Sequence, residues 1–185
     1  FMAVQSLWSS AWLIHVNGYT RSVAAEHIAA MSVAMTVSYL LIGLLATWLA
    51  RHGIGTAKLL GGGMALGLCT LLLIVTQATD RHLLLWTAYG LFSSFGTLTY
   101  AATSAGFPPA LTGRANTLVN LAAFIGAFAL QWGIGLLVDL SLAQGNSPDL
   151  AYRNAFLVLF VVQTGALVWL VVGGRRTADT VRQGA

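Results

Sequence analysis

Residues 113–135 read GRANTLVNLAAFIGAFALQWGIG. The stretch is long and apolar enough to lie in lipid, yet it carries Asn116, Asn120 and Gln131, with Arg114 at its mouth. On an α-helix, positions 116, 120, 123, 127 and 131 share one face, because the residues from Asn120 to Gln131 turn through about three revolutions. An amide in hydrocarbon without a partner is costly. The face must therefore look at other helices or at water.

The rest of the chain has the same character. Of its 185 residues, 57% are hydrophobic and 8% charged, with a mean hydropathy of +0.79, whereas soluble domains carry roughly a quarter charged residues. The apolar residues come in blocks of bilayer-spanning length rather than in scattered stripes. The expected fold class is all-α, a polytopic transmembrane helix bundle set by lipid. Cys69 is the single cysteine and lies inside an apolar block, which leaves no intrachain disulfide and no metal-ligand spacing and reads as a small packing residue. The net charge of +4 is dispersed singly at block ends, apart from the pair Arg175 and Arg176. That spacing argues for topology and against nucleic acid as a partner. No basic leader precedes a short apolar run and a cleavage site, so no signal peptide is read. The opening at Phe1, inside an apolar run, is expected to be part of something longer.

Five full spans are predicted, over 28–50, 59–77, 83–105, 115–138 and 155–173, with a partial first span over 1–16 and a tail over 174–185. Each full span suffices to cross ~30 Å of hydrocarbon. Backbone facing lipid must satisfy its own hydrogen bonds, which makes the blocks helices. One set of ends carries Arg51, Lys58, Arg114, Arg175, Arg176 and Arg182 against the single acid Asp179, while the other mixes Arg21, Arg81 and Arg153 with Glu26, Asp80, Asp139 and Asp149. By the positive-inside rule the first set, with the C-terminus, is cytoplasmic.

Two short matches suggest an internal three-helix repeat. Leu7-Trp8-Ser9-Ser10 in the first span pairs with Leu91-Phe92-Ser93-Ser94 in the fourth, and Ile42-Gly43-Leu44-Leu45 in the second with Ile134-Gly135-Leu136-Leu137 in the fifth. Polar residues are distributed unevenly. The fourth span groups Tyr89, Ser93, Gly96 and Tyr100, the first Gln5, Trp8, Ser9 and Trp12, and the second Thr36, Ser38 and Tyr39. The third has little beyond Cys69, Thr70 and Thr76, and the sixth only Gln163 and Thr164. Spans one, two, four and five are thus expected to surround a wet space, with three and six peripheral. The competing use of the same residues is helix glue: hydroxyls and amides bond between helices, and small residues four apart, such as Gly63 with Gly67 or Gly90 with Ser94, let backbones approach. Trp132 reads as a packing residue.

Enzyme chemistry is not expected. No span interior carries Asp, Glu, Lys or Arg, and all four histidines lie at span ends or in loops. Tyr100 to Gly106, YAATSAG, lacks a buried histidine partner for a serine protease. A His-Glu-x-x-His zinc motif is missing, intramembrane charge for a proton relay is missing, and Gly61-Gly62-Gly63 lacks the ending of a phosphate loop. No cofactor is called for.

Two stretches resemble the major facilitator superfamily of secondary transporters, specifically its C-terminal six-helix half. PPALTGRANTLVNLAAFIGAFALQWGIGLLVD, from Pro108 to Asp139, looks like the cytoplasmic loop plus eleventh helix of such permeases. GLLATWLARHG, from Gly43 to Gly53, looks like the degenerate second copy of the superfamily's loop motif: Gly43 and Arg51 match, while Thr47 and Trp48 stand where Asp and Arg are usual. The resemblance implies that the six spans correspond to helices seven to twelve, with seven, eight, ten and eleven around a central cavity. It also implies an N-terminal six-helix half of the same polypeptide as partner, with the bilayer and a small-molecule solute. The expected function is transport of that solute across a bacterial-type inner (plasma) membrane by alternating access, with Gln5, Trp8, Tyr89, Ser93, Asn120 and Gln131 lining the cavity. Arg114 and Arg51 are expected at the cytoplasmic face. The rival expectation is a non-transporting six-helix scaffold or subunit whose polar face is all glue.

Overall fold

The computed structural model describes residues 1–183, with side chains through residue 173. Among these residues only helices, turns and short connections form, with no strand. A π-helical turn, Val4–Trp8, leads into α1 (Ser9–His15). There follow α2 (Arg21–Arg51), α3 (Thr56–Thr76), α4 (His82–Ser93), a 3-10 turn over Ser94–Thr97, α5 (Leu98–Gly106), α6 (Pro109–Ala143) and α7 (Pro148–Gln183). Four of these, α2, α3, α6 and α7, are each long and apolar enough to cross a membrane.

Local chemistry sets the helix ends. The Thr20 hydroxyl accepts from the Val23 amide at the start of α2, and Pro109 opens α6 where its missing N–H costs nothing. The connections after α2 and α6 turn through Gly53 (φ +78°) and Gly145 (φ +84°), left-handed positions that glycine occupies without strain. Gln77 takes the equivalent position after α3 at φ 53°. Its Nε2 donates to the Ile74 carbonyl, and its Oε1 accepts from Asn17 Nδ2 at 3.0 Å, tying the first connection to the third.

Packing is centred on α4, which lies against both α2 and α3, while α7 lies against α3 and α6, and α5 pairs with α6. The α2–α4 seam needs Gly90: a Cβ there would sit 2.7 Å from the Met31 carbonyl oxygen. Ser38 Oγ donates to the Leu91 carbonyl at 3.0 Å across the same seam. On α3, Gly63 lies against Phe95, and Gly67 faces Ser93 and Phe92. The core gathers Trp12, Leu13, Met31, Leu71, Trp86 and Phe156, and the Trp12 and Phe156 rings meet at 4.6 Å.

Five features depart from the sequence reading. The fourth span is helical throughout 82–106 but not uniformly α, because Ser94 Oγ and Thr97 Oγ1 bond back to the carbonyls of Gly90 and Ser94 and the turn tightens there. The third span is not peripheral to this bundle: 44% of its apolar window is buried, against 11–17% for the other three long helices, since its glycines admit α4 closely. Trp132 is 66% exposed rather than packed in the core, lying on an outward strip of α6 with Phe124 and Phe128. Cys69 is exposed on α3 rather than packed. The tail expected over 174–185 continues α7 as far as Gln183, and its last two residues lie outside the described ones.

Candidate functional site

The amide face of α6 meets neighbouring helices at its two ends and opens between them. At one end Asn116 Nδ2 donates to Ser104 Oγ at 3.0 Å, and the Tyr100 hydroxyl donates to Asn120 Oδ1 at 2.9 Å, joining α5 to α6. At the other end Gln131 Nε2 donates to Ser6 Oγ at 2.6 Å, and the Gln131 carbonyl accepts from Trp8 Nε1 at 3.2 Å, joining the first segment to α6. The two seams stand about 16 Å apart along the helix. Between them Ala123, Gly126 and Ala127 border a cavity of about 420 Å³.

The cavity walls come from four spans. The first segment supplies Phe1 to Ala3, α2 supplies Tyr39, and α6 supplies the small-residue strip. The 3-10 turn and its flanks supply Ser93, Gly96, Thr97, Thr99 and Tyr100. No residue of α3 or α7 borders it among the described residues. The hydroxyls therefore stand mostly on the residues that flank the irregular turn, with alanine and glycine of α6 supplying another wall. A Cβ on Gly126 or Gly96 would meet no atom within 4 Å, so both glycines face open space rather than a packed neighbour.

A second cavity of about 230 Å³ lies behind the 3-10 turn, between α3, α4 and α7. It shares Phe1, Ser93, Gly96 and Thr99 with the first, so the two adjoin across the turn. Tyr89 is 2% exposed and borders this smaller space. Gln163 of α7 borders it as well. A third, smaller space of about 110 Å³ between α6 and α7 is walled by apolar residues and Gly133 alone.

The six residues expected at the cavity divide three ways. Ser93 lies at both cavities and Tyr89 at the smaller one. Asn120 and Gln131 flank the larger cavity as hydrogen-bonded seams and do not form its wall. Trp8 packs edge-on against Tyr152 and lies 3.4 Å from where a Gly135 Cβ would be, and Gln5 accepts from Ser9 Oγ through its backbone carbonyl. The cavity residues outside those six include Thr99, Gln163, and Ala123 and Ala127 on the amide face of α6. Gln163 was visible to the argument used for Asn120, that a large amide in a span demands a partner. The rest of its span is hydrocarbon, so no polar stripe along α7 points to it.

The members of each short repeat are placed differently: Ser94 belongs to a 3-10 turn whereas Ser9 and Ser10 follow a π-helical one, and a Cβ on Gly135 would meet Trp8 whereas one on Gly43 would meet no atom within 4 Å. Ile42 and Ile134 are both buried. Arg51 and Arg114 are exposed at helix ends. No cluster of His, Cys, Asp and Glu capable of holding a metal ion occurs among the described residues. The arrangement can surround an uncharged molecule with hydroxyls on one side and apolar surface on the other. No protein-family model, curated protein or solved structure matches the chain.

Proposed function

We infer that this bundle is half of a secondary transporter that moves a small polar or amphiphilic solute across the cytoplasmic membrane by alternating access, the two halves rocking about a shared site. The observation that carries the reading is the 420 Å³ cavity walled by the first, second, fourth and fifth spans, with hydroxyls on a non-α turn and on the α-helical residues that flank it. Such a volume falls in the range of small-molecule sites. Irregular helical turns within apolar bundles are tolerated where they border a cavity, and they cluster at functional sites. Residual support comes from the resemblance of the 43–53 and 108–139 stretches to permease motifs.

The bonded state of Asn116, Asn120 and Gln131 favours the second reading, a scaffold whose polar face is glue. One substitution separates the two. Gly126 borders the cavity and a Cβ there would meet no atom within 4 Å, so Gly126→Leu adds its bulk on the cavity side. In the full chain, reconstituted in proteoliposomes and supplied with solutes that stabilise the purified protein thermally, Gly126→Leu is expected to abolish uptake while leaving folding intact. Uptake at the unsubstituted rate would remove the cavity from the transport path and leave the scaffold.

A further inference from the structure

The smaller cavity holds unspent hydrogen-bonding capacity. The Tyr89 hydroxyl and Gln163 Nε2 are both buried and have no partner. Ser93 and Gln163 lie near enough to the Tyr89 hydroxyl to interact with it, yet neither makes a hydrogen bond of good geometry. Buried polar groups are almost always paired, so two orphans at one cavity call for an occupant. Both orphans are donors, and the tyrosine also accepts. Their complement is an oxygen acceptor. No side chain bordering either cavity carries a formal charge, and an ionised group buried there without a side-chain counter-charge is strongly disfavoured. The acceptor is thus neutral.

The position of the small cavity adds the second constraint. It adjoins the larger one across Ser93, Gly96 and Thr99, and Gly96 places no side chain between them. A molecule resting in the larger cavity can reach the orphan donors with a short end group. We propose that the smaller cavity is the subsite for an uncharged carbonyl, amide or hydroxyl end group of the solute, and that the apolar or aromatic body of the same solute rests in the larger cavity against Ala123, Gly126 and Ala127. This assignment of substrate class rests on the transport reading above.

The test uses the purified full chain and three neutral probes, acetanilide, benzamide and 2-phenylethanol, with benzoate and benzylamine as charged counterparts, their binding measured by calorimetry. At least one neutral probe is expected to bind, and to bind more tightly than either charged one. Tyr89→Phe and Gln163→Leu are each expected to weaken that probe about five- to tenfold. Tyr89→Phe is also expected to leave the thermal midpoint unchanged or raise it, because it removes an unpaired buried hydroxyl; a purely structural role for that hydroxyl would lower the midpoint instead. Failure of all neutral probes to bind, preference for a charged probe, or affinity in both variants unchanged from the unsubstituted protein overturns the subsite and leaves the cavity to structural water. Uptake of the same probes into proteoliposomes separates the two readings. Variant-sensitive binding without uptake retains the subsite and removes transport, whereas uptake with variant-insensitive affinity retains transport and removes the subsite.

Discussion

Individual residues show how differently one chemical type behaves in this bundle. Gly90 and Gly126 both lie within membrane-length helical segments, yet a Cβ on the first would collide with the Met31 backbone, and on the second it would enter open space. Gly90→Ala is expected to lower stability by about 1–3 kcal/mol through overpacking, despite a helix-propensity gain of about 1 kcal/mol. Gly126→Ala keeps the propensity gain without the collision. Thermal unfolding in detergent checks the pair, and equal behaviour would contradict the packing described for the α2–α4 seam. His82 offers a contrast in charge. It lies beside Asn17, with the Tyr19 ring edge-on at 5.9 Å. Burial holds its imidazole below the ordinary value of 6.5, His27 adds to the lowering, and Asp80 opposes both. The unfolded chain therefore binds more protons than the folded one as pH falls past 6.5, so the stability present above that pH is lost on the acid side. The thermal midpoint is expected to drop between pH 7 and 5, and His82→Gln to flatten that drop.

Elements owe their shapes to short polar insertions in apolar sequence. The fourth span continues from α4 to α5 only through a tightened turn, where Ser94 and Thr97 hydroxyls compete for backbone carbonyls and Gly96 adds no side chain to hold the α conformation. That turn faces both cavities. The hydroxyl pattern in SSFGT was legible in sequence as polarity, but the change of helical pitch was not, because back-bonding hydroxyls also occur within regular helices, as Thr70 and Thr87 do here. The seam between α2 and α4 is polar at one point. Ser38→Ala removes its bond to the Leu91 carbonyl and is expected to cost about 0.6 kcal/mol, the average for such bonds in membrane proteins. A double-mutant comparison with Gly90→Ala is expected to be non-additive, since both act on one interface.

At the scale of the molecule, the long helices bury little of themselves. α6 has 11% of its apolar window buried and turns Phe124, Phe128 and Trp132 outward, while α2 turns out Val33, Leu40 and Leu44. Apolar faces of this extent are covered by lipid or by further apolar protein. Phe128, 72% exposed, is the sharpest probe. Phe128→Arg is expected to raise the cost of membrane integration by about 2.5–3.5 kcal/mol, read as a reduced membrane fraction on expression; an unchanged fraction would place that strip in water. The contrast between this outward strip and the inner strip of Ala123, Gly126 and Ala127 gives α6 its two functions, anchoring and enclosing.

The all-helical class and the polar face of α6 followed from the sequence by itself, because hydropathy and the 3.6-residue period are local quantities; of the five full spans expected, four are single membrane-length helices and the fourth span is broken by a 3-10 turn. The sequence also required that Asn120 and Gln131 avoid hydrocarbon. Only tertiary structure decided how they do so: their partners, Tyr100 and Ser6, come from other spans, and an amide is satisfied equally by water or by a neighbouring hydroxyl. The same holds for Gln163, whose place beside Tyr89 depends on α7 crossing α3 rather than on any pattern within α7. Cavities are differences between packed surfaces, and no single helix encodes them.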